Sequence, residues 1–174
     1  VSRWWRVGFV RGVVSTDYVS IAGETIDYGP CAFLDVYHPE TVFSSIDHQG
    51  RYAFQNQPSI TQWNLARLAE SLVQVVPGDP EDAVGRFVEI LETFPSCYEK
   101  YFQIGANAKL GLTTLEKEDS AIYSDLLKIM EESQLDFTET FVTLADGLEQ
   151  SAAEPEGAKA DGLSDWTKRW SQRY

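Results

Sequence analysis

Asp17 and Asp27 stand ten residues apart in STDYVSIAGETIDYGP, residues 15–30, and each sits in a turn-like setting. Chemistry on phosphate needs one carboxylate beside the attacking group and another on a metal ion, both on turns where side chains converge. Asp27 opens an Asp-Tyr-Gly turn, in which Gly29 supplies backbone freedom that a Cβ disfavours. Spacing alone leaves two readings open: a phosphate-transfer centre, or two aspartates that cap local backbone N–H groups.

The elements around the pair are mostly helical. Residues 1–10 read as the end of a helix, with Trp4, Val7 and Phe9 or Val10 inward and Gly12 as a break. Residues 19–22 (VSIA) and 25–28 (TIDY) read as two very short strands joined around Gly23 and Glu24. Residues 29–58 show no clear period, and irregular segments of that length are often functional. Ser59 with Gln62 forms a capping-box pattern, followed by Leu65, Leu68, Ala69, Leu72 and Val76 at helical spacing, with Pro77 and Gly78 as the stop. Asp79-Pro80 starts the next helix, with Val84, Phe87, Val88 and Leu91 as its buried stripe and Pro95 at its end.

Residues 97–110 predict another helix, closed by Gly111. Thr113 with Glu116 starts the next, which buries Ile122, Leu126 and Ile129. Asp136 with Glu139 starts one more, carrying Phe137, Phe141, Leu144 and Leu148. Residues 1–149 therefore form a helical domain with its active-site loops at 11–58. Residues 150–162 (QSAAEPEGAKADG) are a linker by composition, and residues 163–174 a terminal helical segment whose Trp166 and Trp170 give it a sticky face.

Bulk properties exclude several function classes. The 174 residues suffice for one domain with a real core. A net charge of −13 argues against nucleic acid, whose phosphates need a basic face. A nucleotide remains compatible, because a divalent ion can invert the local field. The acidity gathers after residue 79. No apolar run is long enough to span a membrane, and Arg3 and Arg6 interrupt any signal-peptide pattern. Cys31 and Cys97 have no zinc spacing and make no disulfide framework, which suits a reducing compartment. There is no His/Cys metal spacing and no phosphate-binding Gly-x-x-x-x-Gly-Lys loop.

Longer stretches carry a resemblance. VGFVRGVVSTDYVSI at 7–21, TIDYGP at 25–30, DHQGRYAFQNQP at 47–58 and WNLARL at 63–68 resemble, in order, the motifs of the selenoprotein O family of protein adenylyltransferases. The resemblance implies a protein-kinase-like fold, of which this chain would be most of the helical C-lobe. It implies transfer of AMP from ATP to Ser, Thr or Tyr hydroxyls of proteins, with Mg²⁺ or Mn²⁺ as cofactor. By position, Asp17 is the implied proton acceptor and Asp27 the implied metal and nucleotide-site ligand. It also implies a bacterial cytoplasmic location, or a mitochondrial one in a eukaryote.

The chain departs from the family pattern in three ways. Tyr18 occupies the position of a metal-binding Asn, and a phenol is a poor ligand for Mg²⁺. Arg11 replaces a His, and Ser15 replaces an Asn. The family's nucleotide-gripping Lys, its Glu partner and the glycine-rich region belong to an N-lobe outside this chain. The surface left by that lobe is a candidate for self-association. Two alternatives stand beside adenylylation: a phosphotransferase of the same broad fold, and a catalytically decayed, pseudokinase-like helical module whose exposed tryptophans bind a partner.

Other polar residues have plainer readings. His48 orders its loop, and His38 is a surface turn residue. Arg51 either forks onto phosphate or pairs with Asp47 or another loop carboxylate. Glu24 could supply the metal oxygen lost at Tyr18, although hairpin exposure suits it as well. Trp63 and Asn64 pack and tie their helix to the loop. If the kinase-like reading holds, one small hairpin carries Asp17 and Asp27 at its two ends, with their carboxyl groups within roughly 10 Å.

Overall fold

The computed structural model describes residues 1–24, 28–149 and 162–174. The described part is mainly helical, as the periodicity predicts, with one two-stranded antiparallel sheet. A short helix α1 (Ser2–Arg6) leads through Gly8, whose φ is +67°, into strand β1 (Phe9–Arg11). The helix expected to reach residue 10 thus ends four residues early. Val7 is exposed rather than inward, and Phe9 and Val10 are buried as strand residues.

Strand β2 (Cys31–Phe33) pairs with β1 in the register Phe9↔Phe33, Val10↔Ala32 and Arg11↔Cys31. Two bonds prolong the ladder, Leu34 N–H to Gly8 O at 2.8 Å and Gly12 N–H to Pro30 O at 2.6 Å. The ribbon therefore lies outside the two aspartates, and both belong to the excursion that joins its strands. Residues 19–22 form no strand; Ser20 to Gly23 make a turn instead. The reason is burial. All three residues of β1 are buried, whereas Ile21 is 87% exposed and has no apolar face to hold it in a ladder. The predicted strand 25–28 falls mostly outside the described residues.

Six longer helices follow among the described residues. Helix α2 (Gln57–Leu72) starts two residues before Ser59, continuing a 3₁₀ turn at Phe54–Asn56 with Pro58 in its first turn. It ends before Pro77. Helix α3 (Pro80–Glu92) starts as predicted, with the Asp79 carboxylate accepting the Glu81 N–H at 2.8 Å. Its inward row is Ala83, Phe87 and Leu91, whereas Val84 and Val88 face solvent at 48% and 47% exposure. Pro95 does not end α3 but sits in the first turn of α4 (Phe94–Lys109), where a missing N–H costs nothing.

Helix α5 (Asp119–Glu132) starts later than the Thr113–Glu116 pattern predicts. Those residues stay in a loop organised by the buried Asp119 carboxylate, which accepts the Glu116 N–H and the Asn107 side-chain amide. Ile122, Leu126 and Met130 are buried, while Ile129 packs at the margin of the core. Asp136 caps α6 (Phe137–Glu149) as predicted, accepting the N–H groups of Thr138 and Glu139 at 2.8 Å each. The predicted linker 150–162 lies outside the described residues except for Gly162, which precedes α7 (Leu163–Arg173).

The core is aromatic and continuous. Trp5 stacks on Phe54 at 4.4 Å, and Phe54, Tyr37, Phe137, Phe141 and Tyr123 carry the contacts into the helices. Trp166 and Trp170 are part of this core and not an exposed docking face. They are 1% and 4% exposed, and their indole N–H groups donate to Ile122 O and Leu110 O. The exposed-tryptophan version of an interaction module is thereby corrected: at i and i+4 these rings bind their own domain.

The α7 dock ends in a charged cluster. Arg173 donates to both carboxylate oxygens of Asp119, at 2.8 and 3.1 Å. Burial alone would raise the Asp119 pKa, but the Glu116 N–H, Arg173 and Asn107 outweigh it and hold it below 3.8. A carboxylate with a depressed folded pKa contributes stability above its unfolded pKa and loses it as pH falls through the folded value. Acid unfolding followed by circular dichroism should therefore begin at a higher pH in Arg173→Gln than in the parent. An unchanged acid profile would remove Asp119 from the account.

Candidate functional site

The loop that carries Asp17 is held from below by two side-chain amides of α2. β1 spends one edge on β2. Its other edge presents Phe9 C=O and Arg11 N–H, and the fully buried Gln57 serves both. Gln57 Oε1 accepts from Arg11 N–H and Nε2 donates to Phe9 O, each at 3.2 Å. One amide thus stands in for an absent third strand. Seven residues along the same helix, Asn64 Nδ2 donates to Val14 O at 2.8 Å. The reading that Asn64 ties helix to loop is borne out. The role of Gln57 was missed, although its spacing from Asn64, two helical turns, places both on one face.

Gly12 permits the close approach that this arrangement needs. A Cβ there would lie 2.8 Å from Pro30 O and 2.9 Å from Phe43 O, both backbone atoms with no room to yield. After Val14 the chain makes a single 3₁₀ turn, Thr16–Tyr18. Asp17 sits in it, exposed, and its Oδ1 accepts a 2.5 Å hydrogen bond from Ser15 Oγ. Among the described residues no backbone N–H is capped by this carboxylate, so local capping does not account for it. Asp27 lies outside the described residues, as does its distance from Asp17.

Tyr18 and Arg11, two of the departures from the family pattern, meet in space. The Arg11 Cζ lies 5.5 Å from the centre of the Tyr18 ring, within cation–π range. Arg11 is 2% exposed; its Nε donates to Val13 O, while its Nη2 is buried without a hydrogen-bond partner. Both residues line a cleft of about 790 Å³ between the Asp17 loop, the start of the chain and α2. Thr16 and Tyr18, on either side of Asp17, line it too, whereas Asp17 itself is not among the lining residues.

The remaining candidates divide. Asp47 orders its own loop by accepting the N–H groups of Arg51 and Tyr52 at 2.8 Å each. The Arg51 guanidinium neither pairs with Asp47 nor stands free: it lies over Trp63 at 4.7 Å, and Arg67 lies over the same ring at 5.1 Å. His38 is an exposed turn residue, its Nδ1 accepting the Glu40 N–H and its Nε2 3.9 Å from Glu131. His48 is exposed, and Glu24 is an exposed residue of the cleft wall. Cys31 and Cys97 are free thiols. Among the described residues no group of three His, Cys, Asp or Glu side chains could hold a metal, and no helix is long and apolar enough to cross a membrane.

Comparison with known proteins places the chain in a family. The family model described as protein adenylyltransferase SelO matches residues 1–174. Proteins named protein nucleotidyltransferase YdiU are similar over 99% of the chain. The one from Anoxybacillus flavithermus is 51% identical over 174 residues, and this chain covers 35% of it. Those from Bradyrhizobium diazoefficiens and Cereibacter sphaeroides are each 47% identical, with 36% of their length covered. The chain thus spans about a third of the curated relatives it matches.

The amide clamp makes its own prediction. Replacing Gln57 by Leu leaves Arg11 N–H and Phe9 C=O buried and unmade, at about 1–3 kcal/mol for each group. Gln57→Leu should thus lower the urea midpoint more than Gln57→Asn, and more than a control Leu65→Ala does on packing alone, because it removes both buried hydrogen bonds. Equal effects of the two Gln57 substitutions would show that shape, not hydrogen bonding, is what Gln57 provides.

Proposed function

Because this chain belongs to the SelO family of protein adenylyltransferases, we propose that it forms the helical part of the catalytic domain of a nucleotidyltransferase that moves AMP from ATP to hydroxyl groups of proteins. The single observation that carries the reading is the setting of Asp17: an exposed carboxylate, capping no described backbone, on a locked loop whose neighbouring Thr16 and Tyr18 line a large cleft. Asp17 takes the proton of a Ser, Thr or Tyr hydroxyl. The freed oxygen forms its bond to the α-phosphorus of ATP, the bond to the β-phosphate bridging oxygen breaks, and pyrophosphate leaves. The fold around this site is, on the same reading, the C-lobe of a protein-kinase-like domain.

The reaction calls for a divalent ion, Mg²⁺ or Mn²⁺. Among the described residues Asp17 offers one open carboxylate, and the Tyr18 phenol, turned against the Arg11 guanidinium, is poorly suited to a cation. Asp27 is the residue that would hold the ion, with Asp17 joining through water. When bound, the ion neutralises charge on the phosphates. Ser15 keeps the Asp17 carboxylate oriented, and the Gln57 and Asn64 amides keep its loop from recoiling.

Two other readings are separated by experiment. A phosphotransferase of the same fold would label protein from γ-labelled ATP, and an adenylyltransferase from α-labelled ATP. In the full-length protein we expect label from α-labelled ATP alone, and Asp17→Asn should cut the rate by about 10²–10⁴, the usual worth of a positioned proton acceptor. Label from γ-labelled ATP alone would end the adenylyl reading. A decayed module, which the Arg11–Tyr18 contact favours, would give no label from either.

The chain by itself should bind MgATP weakly. It offers the ion little beyond Asp27, and its net charge of −13 repels a triphosphate. Titration calorimetry at millimolar MgATP should give no clear isotherm. A micromolar one that vanishes in Asp27→Ala would mean that these residues alone build the nucleotide site.

A further inference from the structure

Tyr18 directly follows the candidate proton acceptor, and its ring has two partners from other parts of the chain. The Arg11 guanidinium lies 5.5 Å from the ring centre. A Cβ built on Gly29 would lie 3.9 Å from Tyr18 Cε1, an ordinary van der Waals contact, so the ring edge rests against the Gly29 backbone. Gly29 has a φ of +43° and carries no side chain that would hold the ring off. The turn that bears Asp17 and the segment directly after Asp27 therefore touch through one aromatic ring.

The anchor of this contact is fixed. Arg11 is buried in β1, its main-chain N–H is held by Gln57 Oε1, and its Nε donates to Val13 O. A cation kept from water attracts an aromatic face more strongly than an exposed one does. On the other side of the ring's contact, the segment is held at both ends. Tyr28 meets Phe9 edge-on at 6.2 Å, and Pro30 C=O accepts the Gly12 N–H. Tyr18 meets the residue between them. Both of its contacts are made by the ring, and neither uses the hydroxyl.

We propose that Tyr18 is a positioning residue whose ring braces Gly29 against Arg11, and so sets the segment after Asp27 relative to the turn that carries Asp17. Gln57 fixes Arg11, Arg11 holds the ring, and the ring limits where Gly29 can go. The brace stands without any transfer reaction; its effect on rate alone rests on the proposed function.

Hydrogen–deuterium exchange on the full-length protein tests the brace, with Tyr18→Asn and Tyr18→Phe. Tyr18→Asn should speed exchange of the Tyr28 and Gly29 amides by about two- to fivefold, the worth of one cation–π contact written as a rate ratio, while the α5 amides stay as in the parent. Tyr18→Phe keeps the ring and should exchange like the parent. Where Tyr18→Asn speeds the α5 amides too, Tyr18→Leu takes its place with the same expectation. Unchanged Tyr28 and Gly29 amides without the ring, or equal acceleration in Tyr18→Phe, would overturn the inference. With α-labelled ATP, Tyr18→Asn should lower kcat by up to about 10²-fold, more than it changes the KM for ATP, and Tyr18→Phe should restore the rate. A gain of rate in Tyr18→Asn would also overturn the inference, because an amide oxygen is a Mg²⁺ ligand and Tyr18 would then be a lost ligand. Faster exchange in a protein that transfers nothing leaves the brace standing and removes the catalytic reading. Transfer that Asp17→Asn abolishes, with exchange unchanged in Tyr18→Asn, does the reverse.

Discussion

The backbone of residues 9–14 is polar, buried and short of partners, and the domain is organised around supplying them. β2 serves one edge of β1, and the Gln57 and Asn64 side chains serve the rest. Those amides can reach only because α2 runs directly behind the strand, and α2 is aimed there by the 3₁₀ turn at Phe54–Asn56. Phe54 is in turn clamped by Trp5, which stacks on its ring and donates its indole N–H to Phe54 O at 3.1 Å. The same clamp joins α1 to the aromatic core. The loop that carries Asp17 is thus anchored by hydrogen bonds that are buried, directional and expensive to break.

How much of this was legible depended on whether the signal was local. Asp79 and Asp136 are legible because a cap is read within three residues, and both caps form. The helical stretches are legible because apolar spacing repeats. The sheet was misplaced because its strands have three residues each and the partners lie twenty or more residues apart, whereas 19–22 merely looks strand-like and finds nothing to bury it. The face of α3 was misread because Val84 and Ala83 differ in hydrophobicity in the opposite sense to their burial; α2 and α4, not composition, decide which row turns inward. Trp166 and Trp170 carry no sign of whether their partner is another protein or their own domain. The turn that carries Asp17 was legible from its local sequence, while the Arg11–Tyr18 contact and the tie from Asn64 to Val14 appear only when the fold is assembled.

Charge is arranged against the average. The chain is strongly acidic, yet Arg3, Arg11 and Arg67 line the cleft, and the Arg51 and Arg67 guanidiniums both lie over Trp63. Arginine tolerates such settings because its planar cation is weakly hydrated and stacks on aromatic faces.

The side-chain amide that completes β1 has a further consequence for how this small sheet behaves toward other chains. An unpaired strand edge is a template on which a second polypeptide can add itself, and proteins that leave one open risk ordered aggregation. Here the inner strand offers no such template, since Gln57 occupies the place a recruited strand would take. Among the described residues no strand pairs with the outer edge of β2, which is only three residues long and followed at once by the turn toward Asp35. A glutamine used in this way protects the sheet from misassembly without adding a strand, and it leaves the loop beyond Arg11 free of the geometry that a longer ribbon would impose.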